Sequence, residues 1–387
     1  MVGVRFSRIC LKIGLALIPY MSFRIGTVAV CDVFLITSMF FAIPSLFTYR
    51  LGKVFSNISV SYFVIFTSGL LVSLLSEDPA NSTLALLKFF IMIFGYTFLI
   101  RYHLLLGNSI ISFLNVYFYG ATIFALQYIF GYYTIFHDNG FGRFEGLSDH
   151  VTNAAGSILI AIAINLNAIL KRSFRLFNAF LQLILLWALM LTGSISSFIA
   201  FTVTLFIAAM YHPTAKLRSF VLIFSIAGVS ILFVQKLGIY DFLERIKSTT
   251  SGRYNTSHSR IINWRSSLDG IFSSLRTLLL GNGLSKDSGL IQSRNFEVLQ
   301  VHNSFLQMIY QGGLLFSVGI FLLISKAFST ARQFAVSDSK ILIYPCTSSL
   351  VFCMTSPLMN SRYIWFPFLV ALSSYGLYGQ STKKWLN

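Results

Sequence analysis

Runs of apolar residues recur along this chain at about the 17 to 25 residues that a helix needs to cross a bilayer. They fall near residues 8 to 23, 28 to 48, 59 to 76, 83 to 100, 109 to 131, 151 to 169, 177 to 193, 197 to 211, 219 to 235, 303 to 325, 341 to 357 and 363 to 380. The pattern predicts about twelve transmembrane helices, with a count of eleven or thirteen left open by short breaks such as Gly193-Ser194-Ile195-Ser196-Ser197 and by Pro44 and Pro357. The first run contains Pro19 and Arg24 and has the length of a secretory leader, but no small-residue cleavage site follows it, so it is read as a helix.

Two polar stretches between these runs are long enough to carry chemistry, one near 132 to 150 and the other from 236 to 302. In the second, Ile261, Trp264, Leu268, Ile271, Phe272, Leu275 and Leu279 recur at helical spacing, which predicts an amphipathic helix over about 258 to 280 ended by Gly281-Asn282-Gly283. A shorter amphipathic turn is expected at Tyr240 to Ile246. Such helices lie along a membrane surface or cap a bundle. The chain therefore divides into helices over 1–235, a large loop over 236–302, and helices with a C-terminal tail over 303–387.

Composition agrees with the pattern: 56% of residues are hydrophobic, 11% are charged and 40 are Phe, with a mean hydropathy of +0.75. A soluble domain carries about 25% charged residues. Charge placement then predicts orientation, because short loops rich in Lys and Arg stay cytoplasmic. With the N-terminus inside, the inner segments hold sixteen Lys and Arg, among them Arg5, Arg8, Lys12, Arg172 and Lys216, whereas the opposite short segments hold only Arg24, Arg143 and Arg362. Both termini are expected in the cytoplasm, with the 236–302 loop on the far side. The four cysteines fall in or beside apolar runs without metal-ligand spacing and read as small core residues.

Ionisable side chains are scarce inside the runs. Asp32 and Lys88 stand out, each within a turn or two of an end, where snorkelling accounts for them. This argues against a proton-driven pump, which needs intramembrane relays, though not against a passive flippase. Chemistry is then expected at the outer face, where no cytoplasmic nucleotide is present and a substrate must carry its own leaving group. A polyprenyl diphosphate sugar does so, and its diphosphate suits arginine.

Three constellations offer themselves. In "GFGRFEGLSDHVTNAAG", residues 140 to 156, Arg143 is either an anion clamp at a helix start or part of a solvated loop, with His150 and Asn153 beside it. In "SGRYNTSHSRIINW", Arg260 and Trp264 lie four apart on one helical face, where the ring can support the guanidinium, although a polar helix face gives the same spacing. In "VHNSFLQMIYQGG", Ser304 and Gln307 match a capping box ahead of an apolar run. His302 and Asn303 then stand just before the helix, as cap neighbours or as a base and an orienting amide for a sugar hydroxyl.

Taken together, Arg143-x-x-Gly146 followed by Asn153, Arg260-x-x-x-Trp264 followed by Gly281-x-Gly283, and His302-Asn303-Ser304-Phe305-Leu306 followed by Gly312-Gly313 resemble the bacterial O-antigen polymerase and O-antigen ligase superfamily. The resemblance implies an all-α bundle in the bacterial inner membrane. It implies a glycosyltransferase that needs no metal or cofactor and moves glycan from an undecaprenyl-diphosphate-linked oligosaccharide to an acceptor hydroxyl. Arg143 and Arg260 would hold the diphosphate, His302 would act as base or position the acceptor, and Asn303 would assist. The arginine that the family often carries after the serine near 194 is missing here, which leaves a third anion contact to Arg253 or Arg265. A polymerase, whose acceptor is a second lipid-linked repeat unit, is favoured over a ligase acting on lipid A core and over a flippase. The other expected partners are membrane lipid and a chain-length regulator protein, and no nucleic acid is expected.

Overall fold

The apolar runs become helices. A computed structural model describes residues 2–25, 28–46, 59–130, 147, 151–170, 176–211, 256–285, 290–292, 298–300, 303–336, 340–354 and 361–377. Among these the chain is almost wholly helical: α1 (Val2–Ala16), α2 (Val30–Leu46), α3 (Ser59–Leu74), α4 (Pro79–Leu105), α5 (Ile110–Ile129), α6 (Val151–Leu170), α7 (Leu176–Thr192), α8 (Ile195–Tyr211), α9 (Thr256–Ile271), α10 (Leu275–Leu280), α11 (Ser304–Val336), α12 (Ile343–Cys353) and α13 (Arg362–Ser373). Two short antiparallel hairpins accompany them: β1 (Arg24–Ile25) with β2 (Val28–Ala29), and β3 (Leu290–Gln292) with β4 (Val298–Gln300). Helices α4, α5, α6 and α11 are long and apolar enough to cross a membrane, and six shorter apolar helices join them. The chain is an all-α membrane protein on this composition and length. The run at 219 to 235 and the turn at 240 to 246 lie outside the described residues.

The middle of the bundle is built on α6 and α13. Every residue of α13 from Tyr363 to Ser373 is buried, so the neighbouring helices enclose it on all sides. The Tyr117 ring of α5 stacks on Phe366 at 4.5 Å, and Phe89 of α4 meets Trp365 edge-on at 5.4 Å. Polar bonds between helices add to this packing, each worth about 0.6 kcal/mol in a bilayer. Asn165 donates to Gln182 Oε1 at 2.9 Å, Tyr62 donates to Thr97 Oγ1 at 2.7 Å, and the Thr204 and Ser348 hydroxyls lie 2.7 Å apart.

At one end of the bundle, Ser7 of α1 is held between Ser38 and the buried His103, each at 3.1 Å. Arg101 donates to the carbonyls of Ser373 and Tyr375 at 3.3 and 2.6 Å, closing the C-terminus of α13, where a cation is favoured.

The first helix differs from expectation. It spans Val2–Ala16 instead of 8 to 23, because the chain turns before Pro19, which disfavours helical backbone in the residue ahead of it. Gly120 of α5 lets the end of α1 approach closely: a Cβ there would lie 2.3 Å from the Ala16 carbonyl oxygen.

At the other end, Asp32 does not snorkel. It accepts from Arg362 through both carboxylate oxygens, the Nε to Oδ1 distance being 2.7 Å, and each side chain is only 19% exposed. This bidentate pair joins the starts of α2 and α13, and a half-buried charge left alone there would carry its desolvation penalty without return. In a double-mutant cycle read by thermal unfolding in detergent, Asp32→Asn and Arg362→Met are expected to couple by about 2 kcal/mol. A coupling near zero would mean that the two side chains are separately solvated.

Candidate functional site

The sequence places Gly281-Asn282-Gly283 about thirty residues before Gly312-Gly313, and the fold brings the two together. Gly313 interrupts α11 with φ of 66° and ψ of −177°, a backbone that favours glycine. The kink frees carbonyls in the turn before it, and the loop after α10 takes them. The Asn282 amide donates to Tyr310 O at 3.0 Å, the Gly283 amide to Gln311 O at 2.9 Å, and the Asn282 side chain adds a bond to Tyr310 O at 3.1 Å. Gly281 is also left-handed, at φ 69°, and the approach is so close that a Cβ on Gly281 would lie 2.3 Å from Gln311 O, and one on Gly313 2.3 Å from Leu279 O. The same loop reaches α4, where the Leu284 amide donates to Ser82 Oγ at 2.8 Å.

The expected single helix over 258 to 280 is two helices. α9 stops at Ile271, and α10 starts afresh behind a capping box in which Ser274 Oγ accepts from the Thr277 amide and Thr277 Oγ1 from the Ser274 amide, both at 3.1 Å. Consecutive Ser273 and Ser274 hydroxyls compete with the helical ladder, and that competition makes the break. The faces also differ from a soluble amphipathic helix. Asn263, Ser267 and Ile271 are buried toward the bundle, with Gly270 against the Tyr310 ring, whereas Ile261, Leu268 and Phe272 point away from it.

Where these elements meet, several buried polar atoms lack a partner among the described residues: Trp264 Nε1, a donor, and Gln307 Oε1 and Gln311 Oε1, both acceptors. Gln311 spends its donor on Ser285 O at 2.9 Å. Each such atom costs about 1 to 3 kcal/mol unless water or a ligand answers it. Donors and acceptors without charge suit hydroxyls.

Helix α11 starts differently from the capping box read in the sequence. Asn303 is the cap: its Oδ1 accepts from the Phe305 and Leu306 amides at 3.0 and 3.2 Å, and its carbonyl from Gln307 N at 2.9 Å. Asparagine is at least as good a cap as serine, so Ser304 becomes the first helical residue, where it is buried beside Cys353. Gln307 lies one position too far to close a box.

Of the other sequence-predicted residues, Arg143, Arg253 and His302 lie outside the described residues. Arg260 lies in the first turns of α9. Arg265 is exposed on the outward face. Among the described residues no three His, Cys, Asp or Glu side chains gather as metal ligands.

Contacts also gather helix starts. Tyr363 donates to Asn153 Oδ1 at 3.1 Å, so α13 and α6 begin together, and Gly156 makes room for that ring, since a Cβ there would lie 2.2 Å from it. The Asp32–Arg362 pair adds the start of α2, and Phe352 against Tyr363 brings in the end of α12, next to Ser304. With Ser82 near the start of α4, five helix N-termini share this end, each contributing partial positive charge. Sequence reasoning passed over Arg362, Tyr363 and Gln311. The signal for the first was one acid and one arginine, each opening an apolar run on the same side.

Two substitutions separate the roles. Gly313→Ala is expected to destabilise the protein by roughly 3 kcal/mol or more, combining left-handed strain with a backbone clash, whereas Gly107→Ala, at φ 89° with open space around it, should cost about 1 kcal/mol. Equal melting temperatures for the two variants in detergent would contradict the close approach. Gln307→Met, which removes an unanswered buried acceptor, is expected to leave the melting temperature unchanged or raise it. No known family matches the chain, and no curated protein matches it.

Proposed function

We propose that this chain is a surface-polysaccharide polymerase that transfers glycan from an undecaprenyl-diphosphate carrier to a hydroxyl of a second lipid-linked repeat unit, at the periplasmic face of a bacterial inner membrane. The observation that supports the reading best is the docking of the Gly281-x-Gly283 turn on the kinked start of α11, because it puts two of the motifs behind the family resemblance into one assembly. That assembly directly follows His302 and Asn303 in the chain and carries uncharged hydrogen-bonding atoms suited to sugar hydroxyls.

In this reading the five helix starts favour an anion, and Arg143 and Arg260, with Arg253 or Arg265, hold the diphosphate. His302 takes the proton from the acceptor hydroxyl, the oxygen attacks the anomeric carbon, and the lipid diphosphate departs with the bonding electrons. Asn303 has committed its Oδ1 to the helix cap and turns its amide N–H toward the acceptor. Cap and proposed site are then one residue, Asn303.

Purified protein supplied with lipid-linked repeat units in detergent is expected to extend them, and His302→Ala is expected to lower the rate by about 10²- to 10⁴-fold without a change in melting temperature. Full activity in that variant would remove the histidine from the mechanism. Failure of the wild-type protein to extend the units, with transfer to lipid A core in their place, would assign the ligase reaction.

A further inference from the structure

Helices α9 and α10 turn the wrong side outward for a loop in water. Their outer surface carries Ile261, Leu268, Phe272 and Leu275 among the charged Arg265, Asp269 and Arg276, with Phe272 and Leu275 68% and 71% exposed, while Asn263 and Ser267 are 3% and 0% exposed against the bundle. In water that arrangement leaves large apolar side chains exposed, at a cost that scales with their area. We propose that the outer face of α9 and α10 is seated in the interfacial layer of the same bilayer that the apolar helices cross.

The surface to which this face belongs identifies the occupant. Arg276 of α10 donates through Nη2 to the Leu75 carbonyl just past the end of α3, so α10 lies at the level where that helix leaves its apolar stretch. Leu71 and Leu74 of α3 and Leu75 just beyond it are exposed there, so α10 adds its apolar side chains next to the apolar end of that helix. Arg276 is exposed on that side, in the position where a guanidinium group meets anionic lipid phosphates while the neighbouring apolar side chains enter the acyl boundary. Seated in this way, the helix pair keeps its polar inner face over Gln311 and the helix starts and gives its outer face to lipid. This inference requires only that the chain is a membrane protein and stands apart from the polymerase reading.

The test uses the full-length protein in vesicles of phosphatidylethanolamine and phosphatidylglycerol. Single nitroxide labels are placed at Phe272→Cys and Leu275→Cys, with Glu77→Cys in the exposed turn between α3 and α4 as the reference; the four native cysteines are buried and leave the introduced thiol as the reactive one. Collision rates are measured with oxygen, which concentrates in the bilayer, and with a water-soluble nickel chelate. The expected result is a reversal of the oxygen-to-nickel ratio between sites, oxygen dominating at 272 and 275 and nickel at 77. Nickel dominating at 272 and 275 would place the face in water. Little collision with either reagent would mean that a second copy or another protein covers it. Either outcome overturns the proposal.

Discussion

A helix broken at Gly313 has carbonyls that its own ladder no longer satisfies, and in a protein surrounded by lipid an unanswered backbone group costs several kcal/mol. The amides of Asn282 and Gly283 remove that cost for Tyr310 and Gln311. Much of the candidate site depends on this exchange. It fixes the loop after α10 against α11, sets Leu284 where it reaches Ser82, and places Gln311 where its side chain holds Ser285. Glycine is required on both sides because the backbones approach within distances that leave no room for a Cβ at Gly281 or Gly313. The two glycine motifs are one structural device, contributed by segments about thirty residues apart.

A second constraint operates through charge. The described membrane helices bury few ionised groups, and where a pair does occur, at Asp32 and Arg362, its bidentate geometry joins two helix starts. Tyr363 next to Arg362 extends the link to Asn153, while Arg101 closes the far end of the same helix. α13 is therefore held at both ends by polar contacts and along its length by burial. A rigid central helix of this kind gives the surrounding helix starts a fixed frame, which a site handling a flexible lipid-linked sugar needs.

Apolar periodicity carried most of the helix assignments. Runs near 59, 109, 151, 177 and 197 recur within a few residues as α3, α5, α6, α7 and α8, because length and hydropathy set where a lipid-facing helix can stop. Local competition was harder to read. The helix expected over 258 to 280 was cut by two serines whose hydroxyls bond nearby backbone, and the cap expected at Ser304 moved one residue to Asn303 because asparagine reaches two amides at once. Pairing across the chain had no local signature at all. Asp32 and Arg362 are separated by 330 positions, and only their shared side and their shared place at the head of an apolar run connect them. Among the proposed site residues, Asn303 has a defined structural role as the cap of α11, and Arg265 has an outward position on α9.

Hydrogen exchange tests the central claim most directly. In detergent-solubilised protein, the peptide spanning residues 281 to 285 is predicted to exchange slowly, at rates comparable with those of α11, because the Asn282 and Gly283 amides are committed to Tyr310 and Gln311. Complete exchange of that peptide within seconds, with α11 still protected, would show that the turn is free of the helix and would contradict the account.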